Sequence, residues 1–177
     1  MSPRTPRRLG SLPAALVGLL VAALLTGCGA AGRPGTALVV DSQVYTPAQI
    51  VETTAQINQA ISASGQTVSE AQVVNLLMVH PFVLAEVTSR GLWGPDNPYN
   101  SFMTRIPNPT PTTVAAIQTS VAYPALDEEG RAAVLDKVKA ASIAVDPRYG
   151  TLDRSTGFLG AGNPDWIVRT PKAAADK

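Results

Sequence analysis

Few residues in this sequence are of a type suited to covalent chemistry, and they are scattered. The chain has one cysteine, Cys28, and one histidine, His80, which precedes Pro81 in an apolar stretch. A Ser-His-Asp relay needs a histidine that is oriented by a carboxylate and lies beside a nucleophile. No such arrangement is visible around His80. We therefore interpret it as a packed or surface side chain, and we predict no catalytic residue and no enzyme.

The acidic and glycine-rich motifs do not predict a ligand site either. Asp127-Glu128-Glu129 is a run of three acids, but the helix dipole favours acids in a first turn, where their side chains fan outward. The glycines of Gly157-x-x-Gly160-x-Gly162 lack the strand-turn-helix context of a nucleotide loop. We predict no metal, no cofactor and no small-molecule substrate.

The N-terminal segment is the most informative part of the sequence. Three arginines precede an apolar run, Leu12–Leu25, whose length suits a signal peptide and is too short to span a bilayer. Leu25-Thr26-Gly27-Cys28 looks like a bacterial lipobox, where cleavage before the cysteine accompanies attachment of a diacylglycerol. We predict that residues 1–27 are a lipoprotein signal peptide and that Cys28 is lipidated. The alternatives are an uncleaved anchor or an accidental cysteine.

Composition narrows the class of protein further. Removal of residues 1–27 takes away three of the 14 basic residues and leaves 11 against 13 acidic ones. A slightly acidic mature chain gives no electrostatic case for nucleic acid, which requires clustered Lys and Arg. With its one cysteine committed to lipid, the chain has no disulfide. The fold must therefore be held by its core.

Several elements are predicted by caps and apolar periodicity. Ala37–Val40 and Gln43–Tyr45 read as two strands joined by a turn at Asp41-Ser42. Two capping boxes, Thr46-x-x-Gln49 and Ser69-x-x-Gln72, predict the starts of two helices. We predict helices over Pro47–Ser64, from Ser69 to about Arg90, over Thr112–Tyr123 and from Asp127 to about Ser142, with a strand over Ile143–Val145.

The second predicted helix is the best functional candidate. It is apolar nearly all round, so it is either buried or presents a spare face to a partner, and Pro81 is expected to kink or split it. The proline-rich connection over residues 91–111 carries further aromatic residues and is expected to be irregular. Each of these two stretches either forms or covers the core, or it binds a client polypeptide. The candidate client-binding residues are Leu77, Met78, Phe82, Val83, Trp93 and Phe102.

Two motifs together resemble a known family. Residues 37–46, Ala-Leu-Val-Val-Asp-Ser-Gln-Val-Tyr-Thr, lead into a helix as in SurA-like N-terminal domains, although Ser42 replaces the usual glycine. Residues 143–150, Ile-Ala-Val-Asp-Pro-Arg-Tyr-Gly, are similar to the ending of those chaperone and foldase domains. The resemblance implies that this C-terminal strand pairs with the N-terminal hairpin. Relatives often carry a parvulin isomerase domain; the stretch between the predicted helices and the final strand is too short for one, so we expect the chaperone-like module without the isomerase.

The signature of the second motif consists of Pro147, Arg148, Tyr149 and Gly150. We interpret it as structural: the proline stops the strand, the glycine permits a turn, and the other two side chains lie over the hairpin. A contact site is the alternative.

These observations predict a mainly α fold, with four to five helices in an open bundle and a small β element formed by the N-terminal hairpin and a C-terminal strand. The domain is expected over residues 36–153, between a flexible tether, 28–35, and an irregular tail, 154–177. The expected function is that of a membrane-anchored extracytoplasmic chaperone-like lipoprotein that binds apolar segments of unfolded or newly exported polypeptides. The alternative is an accessory lipoprotein that docks on one specific envelope protein or complex.

Overall fold

The computed structural model describes residues 35–94 and 98–160 and has the predicted mainly α architecture. Five α-helices pack around a buried core, and a small antiparallel sheet joins the two ends of the domain. The helices are α1 (Pro47–Ile61), α2 (Glu70–Ser89), α3 (Tyr99–Met103), α4 (Pro111–Ala122) and α5 (Glu128–Ala140). The strands are β1 (Leu38–Val40), β2 (Gln43–Tyr45), β3 (Ile143–Val145), β4 (Thr151–Asp153) and β5 (Phe158–Gly160).

The central strand of the three-stranded sheet is β1, which pairs antiparallel with both β2 and β3. Leu38 lies opposite Tyr45 on one side and Val145 on the other. At the hairpin turn, the Asp41 N–H donates to the Ser142 carbonyl at 2.7 Å, and the Asp41 carboxylate accepts from the Ser142 N–H at 2.9 Å. The prediction that a C-terminal strand completes the hairpin is therefore confirmed.

Both predicted capping boxes are present. The Gln49 N–H donates to Thr46 Oγ1 at 3.3 Å while the Thr46 N–H donates to Gln49 Oε1 at 2.8 Å. The corresponding pair at the start of α2 joins Ser69 and Gln72 with the same two distances. These reciprocal bonds satisfy backbone donors that have no partner inside a helix.

Helix α2 is the centre of the domain. It packs against α1, α4, α5 and β1, and its buried residues lie on several faces rather than one. Within the described ranges it alone has the length and apolar composition of a membrane span, a property shared by core helices of globular domains. Pro81 does not split it, contrary to one of the expected outcomes. The helix continues to Ser89 although the proline has no N–H to donate to the carbonyl four residues earlier.

Two segments expected to be irregular contain regular structure. Helix α3 forms within the proline-rich connection. Strands β4 and β5 pair antiparallel, so the ordered domain extends beyond residue 153 into the predicted tail. The Leu159 N–H also donates to Asn75 Oδ1 on α2 at 2.7 Å. This long-range bond explains why a local reading of the glycine-rich sequence missed the second hairpin.

Candidate functional site

Three of the predicted client-binding residues belong to the core. Leu77, Met78 and Val83 have no exposed surface, because the elements around α2 cover them. A client cannot reach these side chains while the domain is folded. The interpretation of this stretch as a client-binding face is therefore corrected at these three positions.

The other three candidates lie at the edge of the core. Phe82, Trp93 and Phe102 are partly buried and pack against it, and the ring of Trp93 lies 5.5 Å from that of Tyr99. These three side chains therefore cover the helical core, which is one of the two roles expected for these stretches. A client contact through their remaining exposed surface stays a prediction.

A separate apolar cleft opens beside α2. It has a volume of about 230 Å³, is open to solvent, and is bounded by α2, the end of α4 and β5. The walls are mostly carbon, with few polar atoms at the surface. The lining residues are Asn75, Leu76, Val79, Thr119, Ser120, Tyr123, Pro124 and Phe158.

The outer wall of this cleft is formed by β5. Phe158 retains 36% of its side-chain exposure and meets Tyr123 edge to face, with ring centroids 5.7 Å apart. The Asn75–Leu159 hydrogen bond ties the same strand to α2. Since both walls are anchored, the cleft is a preformed feature of the fold, of the kind that holds ligand side chains.

The Thr119 and Ser120 hydroxyl groups at the cleft are engaged by the backbone. Ser120 Oγ donates to the Ile117 carbonyl at 2.8 Å, and Thr119 Oγ1 donates to the Ala115 carbonyl at 3.0 Å. His80 Nδ1 lies 3.0 Å from Thr119 Oγ1, and burial lowers the pKa of the imidazole. These contacts fit the interpretation of His80 as a packed side chain.

One cation stands at the end of the cleft. The Arg131 guanidinium lies 5.6 Å from the centroid of the Tyr123 ring. Val79, Tyr123 and Phe158 also line a narrow extension of the cleft towards α5, and Arg131 lines that extension but not the cleft itself. The sequence analysis missed this arrangement, because its members come from four separate segments and Phe158 lies in the predicted tail.

The acidic run at the start of α5 is structural. Asp127 caps the helix by accepting from the Gly130 N–H at 2.8 Å, and Arg90 reaches Asp127 at 3.3 Å and Glu129 at 3.8 Å. Within the part of the chain that the structure describes, no three His, Cys, Asp or Glu side chains form a group suited to a metal ion.

The signature Pro147–Gly150 occupies a structural position. Pro147–Tyr149 form a 3₁₀ turn directly after β3, and Tyr149 is buried. Arg148 pairs with Asp146 at 2.8 Å, and Asp146 also caps the turn. Gly150 then leads into β4 with φ +126°. The turn after β3 and the positive φ of Gly150 agree with the structural interpretation of Pro147 and Gly150.

The predicted signal peptide, Cys28 and nearly all of the tether lie outside the described residues. Comparison of the chain with protein-family models, curated proteins and solved structures found no match. The SurA-like resemblance therefore stays a prediction carried by its two motifs.

Proposed function

We propose that this chain is a membrane-anchored extracytoplasmic lipoprotein with a chaperone-like role, and that it binds apolar segments of exported polypeptides in the cleft between α2, α4 and β5. The observation that carries the proposal is the preformed apolar cleft with the half-exposed Phe158 at its rim. A preformed concave site with mostly apolar walls is the usual form of a binding site.

The size and chemistry of the cleft support noncovalent binding of side chains. At about 230 Å³ it is smaller than the roughly 300–1,000 Å³ pockets that enclose small molecules. It is suited instead to one or two apolar side chains of an extended polypeptide. The Thr119 and Ser120 hydroxyls at its wall already donate to backbone carbonyls.

The predicted lipid anchor on Cys28 would place the protein at the membrane surface. Each buried CH₂ of an acyl chain contributes about 0.8 kcal/mol, so several chains on Cys28 would hold the protein at the membrane nearly permanently. Residues 29–35 would then separate the domain from the lipid surface by only a short distance. A cleft held there would meet polypeptides soon after export.

A cleft-blocking substitution tests the binding site. We would measure the affinity of mature chain 28–177, with Cys28→Ser, for fluorescent apolar peptides by anisotropy. Ser120→Phe would fill the cleft from its exposed rim, and Ala132→Phe on an exposed position of α5 is the matched control. Burial of one large apolar side chain is worth about 1.5–3 kcal/mol, so Ser120→Phe is expected to weaken binding at least tenfold.

The control variant should bind within about twofold of the parent chain, since surface substitutions away from a site have small effects. Absence of peptide binding by the parent chain, or unchanged binding by folded Ser120→Phe, would refute the proposed site. Suppression of aggregation of several unrelated unfolded clients would support the chaperone role. Crosslinking to one stoichiometric envelope partner, without suppression of aggregation, would favour the accessory role. A small cleft on a membrane-anchored domain also suits that role.

A further inference from the structure

The cation beside the cleft has no acidic partner. Arg131 contacts the Pro124 carbonyl through Nη2 at 3.5 Å, the outer limit of a hydrogen bond, and it forms no ion pair with any residue that the structure describes. The acids Asp127 and Glu129 pair with Arg90 instead, and Glu128, one turn before Arg131 on α5, is exposed and forms no ion pair with it. Much of the hydrogen-bonding capacity of the Arg131 guanidinium is therefore directed to solvent.

The Arg131 guanidinium lies next to the apolar cleft. Its stacking partner Tyr123 is also a wall of the cleft, and Arg131 is the only charged residue among those that line the cleft and its extension. A ligand side chain seated against Tyr123 and Phe158 would place its own backbone neighbours near Arg131. A planar guanidinium matches a carboxylate with two parallel hydrogen bonds.

We infer that the cleft selects polypeptide segments in which a large apolar side chain is flanked by a carboxylate, with the apolar group in the cleft and the carboxylate on Arg131. This inference rests on the proposed function and adds the class of segment that is bound. The complementarity is electrostatic as well as apolar, so it provides specificity and depends on ionic strength.

A pair of isosteric peptides tests the inference. Acetylated and amidated peptides with a central Asp-Trp-Asp or Asn-Trp-Asn differ only in charge. The chain itself carries Asp165-Trp166, outside the described residues, so we would use mature chain with Cys28→Ser and Trp166→Ala to avoid competition. Arg131→Gln removes the proposed partner, and Lys139→Gln removes one positive charge elsewhere on α5.

The parent chain is expected to bind the Asp peptide about 1.5-fold to fivefold more tightly than the Asn peptide, as for a largely exposed ion pair. Arg131→Gln should abolish this preference, so that the two peptides bind with equal affinity, and Lys139→Gln should retain the preference. Equal binding of the two peptides, or a preference that persists in Arg131→Gln, would overturn the inference and leave the cleft proposal standing. Failure of both peptides to bind would overturn both.

Discussion

Substitution of Gly150 by alanine tests how the signature turn supports the wall of the cleft. Gly150 has φ +126° and ψ −174°, a backbone conformation that is essentially restricted to glycine. A Cβ atom at this position would lie 2.5 Å from the Gly160 carbonyl oxygen at the end of β5. An alanine would therefore combine backbone strain with a clash against main chain that cannot rotate away.

The expected loss of stability follows from these two terms. A residue forced into such a conformation costs about 1–3 kcal/mol, and displacement of the β4–β5 hairpin adds to it. We expect a total of about 3 kcal/mol or more. For a domain of this size, about 1 kcal/mol lowers Tm by about 4 °C, so Gly150→Ala should lower it by about 12 °C.

Gly65→Ala provides the matched control. Gly65 ends the turn after α1 with φ +69°, and a Cβ atom there would meet nothing within 4 Å. It carries only the cost of the left-handed conformation, about 1 kcal/mol, or a Tm about 4 °C lower. Thermal unfolding followed by circular dichroism at 222 nm measures both variants.

The two variants should also differ in peptide binding. Because β5 carries Phe158, Gly150→Ala is expected to weaken peptide binding at temperatures where the domain remains folded, whereas Gly65→Ala is not. If Gly150→Ala lowers Tm no more than Gly65→Ala, then β5 does not pack against this turn and the reasoning is refuted.

Two further predictions concern the buried side chain of Met78, which should affect stability but not peptide binding, and the ion pairs of Glu86 on α2. Met78→Ala should lower the free energy of denaturant unfolding by about 2–5 kcal/mol, because the side chain is fully buried. Peptide affinity of the folded variant should be unchanged. A loss of peptide affinity without this loss of stability would show that Met78 contacts the client. Hydrogen bonds from Lys137 and Arg90, each 2.7 Å long, hold the pKa of Glu86 below its usual range. The stabilisation by these bonds is fully present above the pKa of Glu86 in the unfolded chain, about 4.3, and is lost as pH falls through the lower pKa of the folded state. Glu86→Gln should therefore reduce the slope of the free energy of unfolding against pH in the acid range. Glu128→Gln, at an exposed position with no ion pair among the described residues, should leave the slope as it is, and an unchanged slope in Glu86→Gln would contradict the prediction.

The helix starts were predictable because their determinants are local. Each capping box joins residues three positions apart, so its hydrogen bonds are encoded in a stretch of four residues. The strand Ile143–Val145 was also predicted with the bounds that the structure shows, since Asp146-Pro147 terminates it. Its pairing with β1 was anticipated from the resemblance and from the need of a two-stranded hairpin for further support.

The second hairpin was not predictable in the same way. Residues 154–160 look like a flexible glycine-containing tail, but Gly157 supplies the positive φ of a turn and β5 bonds to a side chain 84 positions earlier. The cleft depends on this hairpin for one wall. A contact over such a separation leaves no local pattern in the sequence.

The sequence by itself determined the helix caps, the mainly α class and the apolar character of α2. Only the tertiary structure decided which surface of α2 remains available. A helix that is apolar on every face has no periodicity to distinguish core from binding surface. Leu77, Met78 and Val83 are buried because α1, α4, α5 and β1 pack around α2, and the cleft beside Leu76 and Val79 lies where α4 and β5 leave a gap. Exposure is a property of the neighbouring elements rather than of residue type.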